Sequence, residues 1–228
     1  MFIVYKSYIL IISIFDSCFT HFRGNDNADC VMLEREVLGP LARKSTRPSL
    51  FSFETREFWR QIKSASATVS ANRLYLDNYG KIDPSLLASA SSAGGPKIIA
   101  PVFIHPSAKV DPTAVLGPNV TIDANCVIGE GVRIKESVIL PGVRIKDNAC
   151  VIDSIIGWNS TIGTWSRVEG SPVSSNFEDE LITLNGVKKP SVTILSGDIH
   201  VYDEKCIRNC IVLPHKDLTN NYHNEIVM

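Results

Sequence analysis

Charge of one prevailing sign is missing from this chain. Its 23 Lys and Arg are matched by 24 Asp and Glu, so no bulk field draws it to nucleic acid or to an anionic membrane. No Lys/Arg run interleaved with aromatics compensates locally, which removes the usual footprint of a nucleic-acid binder. A CxxC pair is also missing. The six cysteines stand at positions 18, 30, 126, 150, 206 and 210, and Cys206/Cys210 have no His or Cys partner at zinc-ligand spacing. They read as buried free thiols of a reducing compartment.

Nor does any apolar run reach the ~20 residues of a membrane-spanning helix. The longest, residues 2–15 (FIVYKSYILIISIF), has Lys6 near its front and resembles the core of a signal peptide. No A-x-A-like cleavage site follows; the chain continues through Asp16, Cys18 and His21. A secretory signal, a strand of a larger domain and foreign sequence from a wrongly assigned start all remain open at this point. Asn119-Val-Thr121 and Asn159-Ser-Thr161 are formal glycosylation sequons, a triplet that arises often by chance.

What is present is a repeat. Stepping by six from Ile104 gives Val110, Leu116, Ile122, Ile128 and Ile134. A five-residue step resets the phase to Ile139, Ile145 and Val151, and another leads to Ile156, Ile162 and Val168. Four residues after each of the first eleven lies a second column: Ala108, Ala114, Val120, Cys126, Val132, Val138, Val143, Ala149, Ile155, Ser160 and Ser166. The position just after the aliphatic is often Gly or Asp (Asp111, Gly117, Asp123, Gly129, Gly157, Gly163), as tight and sometimes left-handed corners require.

Read in threes, the anchors define coils starting at 104, 122, 139 and 156, with the shortened step always at the join between coils. Each hexad is one short strand and a turn, and three make one turn of a triangular prism whose coils stack at ~4.8 Å. The spacing therefore predicts a mainly β fold, a parallel β-helix of about five coils over residues 98–228. At ~1.5–3 kcal/mol per buried aliphatic, the inward column is its main stabilising term. Separate hairpins would need period-two alternation and Asn-Gly turns, which this reading does not find.

The register breaks after Val168 and resumes at Leu195, Val201, Ile207 and Val212. The insert, 171–190, carries an acidic knot, Glu178-Asp179-Glu180, and a basic close, Lys188-Lys189-Pro190. A loop of that length inside a compact domain is either functional or a surface excursion, and these five charged residues are the interaction candidates. Lys205 is a blemish in the second column.

Upstream, residues 31–38 have helical spacing ended by Gly39-Pro40, and residues 49–53 read as a strand. Phe58-Trp59 opens a stretch expected to be helical to about Tyr79, with Gly80 as its stop. Asp83-Pro84 is an N-cap plus first-turn proline for a short helix, SLLASA. Residues 89–96 are a linker into the first coil.

At these residues a resemblance becomes specific. LEREVLGPLA (33–42), FWRQIKSASATVSANRLYL (58–76), VFIHPSAKVDPTAVLGPNV (102–120), IIGWNSTIGTWSRVEG (155–170) and CIVLPHKDL (210–218) are similar to the GDP-mannose pyrophosphorylase (mannose-1-phosphate guanylyltransferase) family. Within it, the chain most resembles the alpha, or regulatory-type, subunit. The resemblance covers roughly residues 30–228 and implies a left-handed coil. It further implies that 30–63 is a remnant of a nucleotidyltransferase domain, 64–97 a helical connector and linker, and 1–29 an unrelated leader from a truncated gene model. The glycine-rich nucleotide loop, the metal-binding aspartate and the sugar-phosphate lysine of the family are not found. Catalytic relatives carry W-x-D-[IV]-G where this chain has Trp59-Arg60-Gln61-Ile62-Lys63. Gln61 is a poor substitute for a carboxylate that offsets Mg²⁺ charge, and Lys63 adds repulsion.

Three functions follow for testing. The first is a non-catalytic, regulatory subunit that pairs through the β-helix with a catalytic guanylyltransferase, with itself, or with both, in the cytoplasm. Here no catalytic residue, metal ligand or cofactor belongs to this chain; Mg²⁺ and GTP or GDP-mannose would belong to the missing domain. The second is an active guanylyltransferase whose front half is lost. The third is a hexapeptide acyltransferase using His105, His200 or His215 as general base.

Overall fold

The chain divides into two compact units, Met1–Glu57 and Phe58–Met228. This computed structural model describes residues 67–89, 94–171, 181–184, 187–190 and 192–228, with the single positions Arg35 and Ile62. The helix expected at 31–38 and the strand at 49–53 fall outside the described residues.

From Lys97 onward the backbone forms short strands on three faces, every pair within a face parallel. The first face runs from Lys97–Ile98 through Val115–Leu116, Arg133–Lys135, Cys150–Ile152, Arg167–Glu169 and Cys206–Arg208 to Tyr222–His223. The second starts at Val102–Ile104 and ends at Ile226–Val227, and the third runs from Lys109–Val110 to Asp217–Leu218. Seven, seven and six strands make a longer parallel β-helix than the five coils anticipated. The undercount has a simple cause: Ile98 precedes the first anchor, and the last coil closes with Tyr222 and Val227, which come after shorter steps.

The register is the one the repeat dictates. Ile104 pairs with Ile122, Ile122 with Ile139, Ile139 with Ile156, Ile156 with Leu195 and Leu195 with Val212. Anchors from Leu116 to Leu218 are at most 2 % exposed, while Ile98, Ile104 and Val110 at the first coil and Tyr222 and Val227 at the last are partly buried. One aliphatic per face per coil, stacked on its own kind, removes a continuous apolar column from water.

The second column needs a correction. Val138 and Ile155 were placed in it, but Val120 stands level with Ser137, because Thr121 pairs with Val138. Ser137 and Ser154 are therefore the inward residues, both fully buried, while Val138 and Ile155 point outward. The trimmed step removes a residue before the second-face strand, and with a side-chain period of two a one-residue slip reverses the face. The buried hydroxyls are satisfied: Ser137 donates to the Lys135 carbonyl and Ser154 to the Ile152 carbonyl, each at 2.7 Å. Thr193, which donates to the Glu169 carbonyl at 2.6 Å, continues the ladder, and Cys210 follows it.

The corner glycines also act differently from expectation. The left-handed residue is usually the third after the aliphatic, and it is most often Asn: Asn125, Asn148 and Asn159 have φ between +56° and +58°. Gly157 and Gly163, just after their aliphatics, are required for close approach instead. A Cβ on Gly157 would overlap the Ser196 carbonyl oxygen of the next coil, and one on Gly163 would lie 2.5 Å from the Asp203 amide nitrogen.

The helix α1 spans Ala67–Ile82, running past Gly80 to stop at Asp83-Pro84. Asp83 does cap, accepting from the Ser85 amide at 3.1 Å, but what it caps is one short turn, Pro84–Leu86. α1 lies on the outer side of the second face, where Val69 packs with Ile155, Val192 and Ile194. That explains why the outward-pointing Ile155 is only 8 % exposed.

Candidate interaction site

The corner between the first and second faces is built differently from the others. Its left-handed residues in successive coils are Asn119, Glu136, Asp153, Asn209 and Asn224, with φ from +47° to +57°. Asn suits that backbone; Glu and Asp occupy it only in the two coils beneath α1. From α1, Asn72 donates to the Asn119 carbonyl at 3.3 Å and accepts from the Thr121 hydroxyl at 2.6 Å. One residue on, the Arg73 Nε donates to Glu136 at 2.7 Å, while its Nη2 stays 3.8 Å from Asp153. Asn119 Nδ2 also donates to Glu136, at 3.1 Å.

Glu136 is thus well compensated and Asp153 is not. Burial pushes the Asp153 carboxyl up to about 6; Glu136 adds to the rise, and Arg73 and Lys135 oppose it. On the chain's backbone, Asp153 also touches the return from the insert, since its carbonyl accepts from the Thr193 amide at 3.4 Å.

The insert leaves this same corner, after Ser171 and before Val192. It contains an antiparallel hairpin, Leu181–Leu184 with Val187–Pro190, in which Thr183 pairs with Lys188 and Ile182 with Lys189. The sequence reading missed it, although Asn185-Gly186 between two β-prone runs is the usual two-residue hairpin signal. Lys188 and Lys189 therefore lie on the second hairpin strand; Glu178, Asp179 and Glu180, like Gln61 and Lys63, fall outside the described residues. Beside the root of the insert, Asn209 donates to Ser171 and Asn224, both at 3.1 Å, and its buried Oδ1 has no partner among the described residues.

The three histidines are not brought together. His105 Nδ1 lies 2.9 Å from the Ser107 hydroxyl in the first complete coil. His200 Nδ1 is 3.7 Å from Asp217 and its ring stacks on Tyr202 at 4.5 Å. His215 Nδ1 is 3.5 Å from Asp198. The fold thus gives two of them carboxylate neighbours that spacing alone did not reveal, both at solvent-facing positions. Of the thiols, Cys126, Cys150 and Cys210 are buried and Cys206 partly so; all four are unpaired, and desolvation raises each above the ordinary thiol range. Among the described residues, no three His, Cys, Asp or Glu side chains are grouped to hold a metal ion, and no helix is long and apolar enough to cross a membrane.

The family model described as "GMPPB C-terminal domain" matches residues 98–227. The mannose-1-phosphate guanylyltransferase regulatory subunit alpha-B of Danio rerio is 44 % identical over 212 residues, covering 90 % of this chain and 49 % of that protein. A probable mannose-1-phosphate guanyltransferase of Schizosaccharomyces pombe is 42 % identical over 200 residues, covering 88 % and 47 %. Among solved structures, a UDP-N-acetylglucosamine acyltransferase of Francisella novicida aligns with a TM-score of 0.29 at 20 % identity, over 57 % of this chain and 62 % of that one. The chain spans about half the length of the curated relatives it matches. The parallel prism, its hexapeptide column and the match across nearly all of its coils place this chain in the GMPPB C-terminal domain family, to which the left-handed hexapeptide coil also belongs.

Proposed function

We propose that this chain is the β-helical portion of a regulatory, non-catalytic subunit that assembles with a catalytic mannose-1-phosphate guanylyltransferase and controls the synthesis of GDP-mannose. The observation that carries the reading is the insert: a hairpin raised from a rigid prism, rooted at the one corner that α1 also grips. Relatives named as regulatory subunits, matching along nine-tenths of the chain, support the same role. In this reading the prism supplies position and the partner supplies chemistry. On the partner, the phosphate of mannose 1-phosphate would attack the α-phosphate of GTP and displace pyrophosphate, with Mg²⁺ there to offset the charge, and no residue of this β-helix takes part in that step. The hairpin, with Lys188-Lys189 on its second strand, and the acidic segment that precedes it in sequence, Glu178-Asp179-Glu180, make the contact. Four unpaired thiols accord with a cytoplasmic setting.

Co-expression of the full chain with a catalytic guanylyltransferase subunit tests this. The expected result is co-purification and an altered rate of GDP-mannose formation. Replacing residues 172–190 with a short linker should abolish the rate effect while leaving the prism's stability within a few tenths of a kcal/mol, since loop length weighs only weakly on stability. Failure to co-purify sinks the proposal. The Schizosaccharomyces pombe relative, named for the transferase itself, favours a second reading as part of an active guanylyltransferase. Turnover of GTP and mannose 1-phosphate by the chain together with its upstream region, and no partner, would decide for it.

A further inference from the structure

Two carboxylates and one guanidinium meet beneath α1. Glu136 and Asp153 hold the same corner in successive coils, with side chains only 13 % and 8 % exposed. Arg73 serves them unequally: its Nε donates to Glu136 at 2.7 Å, while Nη2 stays 3.8 Å from Asp153, beyond hydrogen-bond reach. The other charged residues of α1, Asp77 and Lys81, are exposed. The preceding coil brings Glu136 and Lys135 to bear on Asp153, and the following coil sets uncharged Gly170 level with it. An ionised Asp153 therefore faces a second carboxylate and the remainder of one cation, in a place from which α1 keeps water out.

The same helix reaches the insert. Val69 packs in one cluster with Ile155, Val192 and Ile194, and Val192, fully buried, is the first described residue after the hairpin. Thr193 then donates its amide to the Asp153 carbonyl at 3.4 Å and its hydroxyl to the Glu169 carbonyl at 2.6 Å. α1, Asp153 and the returning foot of the insert thus belong to one network. Its apolar part is indifferent to pH and its charged part is not.

We propose that this network is a proton-operated latch: with Asp153 neutral, α1 lies fast on the second face and clamps the returning foot of the insert, and with Asp153 ionised both loosen together. The docked helix withholds water from the carboxyl, and lifting it restores that water, which links docking to the proton. Lifting α1 also removes Arg73, which works the other way. Burial outweighs it: burial first, then Glu136, push the carboxyl up to about 6 against the pull of Arg73 and Lys135. Docking therefore takes up a proton. It is strongest in acid, weakens by about tenfold between pH 5 and pH 7, and changes little above that. The latch is a property of this chain alone and does not rest on assembly with a guanylyltransferase.

Residue-resolved amide exchange of the full chain from pH 5 to pH 8, corrected for the intrinsic pH dependence of exchange, puts the latch to the test. Residues 67–82 and the Thr193 amide should open as one unit, at lower cost than the coils over 104–168. Their shared protection should fall about tenfold from pH 5 to pH 7. Asp153→Asn, neutral at every pH and at ease at φ +47°, should keep both at or above the level the natural chain shows at pH 5. Glu136→Gln removes the like charge and frees Arg73 for Asp153, so the fall should move to lower pH. Equal protection at pH 5 and pH 7, or a fall that survives Asp153→Asn, overturns the proposal. So does opening of 67–82 that leaves Thr193 protected, or that occurs only when the coils unfold. No partner enters these measurements, so their failure is separate from a failure to assemble.

Discussion

The inside of the prism and its first–second corner obey different rules. Inside, the anchor column repeats one chemistry from coil to coil, aliphatic on aliphatic, and the buried Ser137, Ser154 and Thr193 hydroxyls beside it all donate to backbone carbonyls. At the corner, one ladder reads Asn, Glu, Asp, Asn, Asn, receives Arg73 from a helix 63 residues away from Glu136 in sequence, and gives out an insert. The interior is optimised for stability alone. The corner sacrifices some, which marks it as the region shaped by what the chain must hold.

The largest effect that separates the two comes from the interior. Ile145→Ala, at a site 2 % exposed with Ile128 and Ile162 as its strand partners, should lower the free energy of unfolding by ~2–5 kcal/mol in a urea titration. A loss below 1 kcal/mol would show that the column is not close-packed.

At the corner the expected sign is opposite. Burial pushes the Asp153 carboxyl up to about 6 in the folded chain, above the ordinary 3.8 of an exposed aspartate. The folded state therefore holds the proton more tightly, and stability falls as pH rises through the window between those values. Asp153→Asn, whose amide also suits φ +47°, should stabilise by roughly 2–3 kcal/mol at pH 7.5, with the gain shrinking towards pH 4. Thermal unfolding of both proteins across that range checks it, and a gain that grows on acidification would refute the assignment.

The smallest change concerns the latch. Arg73→Ala should cost about 1 kcal/mol, since Arg73 is itself 36 % exposed. It should act locally, speeding amide exchange in 67–82 with little change in the coils. It should also push the Asp153 carboxyl higher, widening the pH window seen with Asp153→Asn. Uniform loosening of the whole prism would mean that α1 and the coils unfold as one unit.

The architecture was legible because a single column, Ile104 to Val168, carries both period and phase. The errors were errors of offset. Counting four residues onward from Ile134 and Val151 lands on Val138 and Ile155, and only the strand pairing shows that a trimmed corner moves the inward place back to Ser137 and Ser154. Gly80 misled because a glycine near a helix end is a common stop, whereas here Asp83-Pro84, starting three residues later, ends α1. The insert's charges were visible, its hairpin overlooked despite Asn185-Gly186. The Arg73, Glu136 and Asp153 cluster left no local signature, since residues so far apart in sequence meet only through tertiary packing. For the histidines, carboxylate neighbours one coil away were likewise beyond spacing.

Ile156 meets Leu195 in the same alignment that Ile139 makes with Ile156, although 38 residues separate the first pair and 16 the second. In a stack where each layer senses only the layers above and below, an excursion between two layers goes unnoticed by all the others. Such a rod can lengthen, shorten or rewrite what protrudes from its seam while its own coiling stays untouched, so the protruding part is free to change with its partners at little cost to folding.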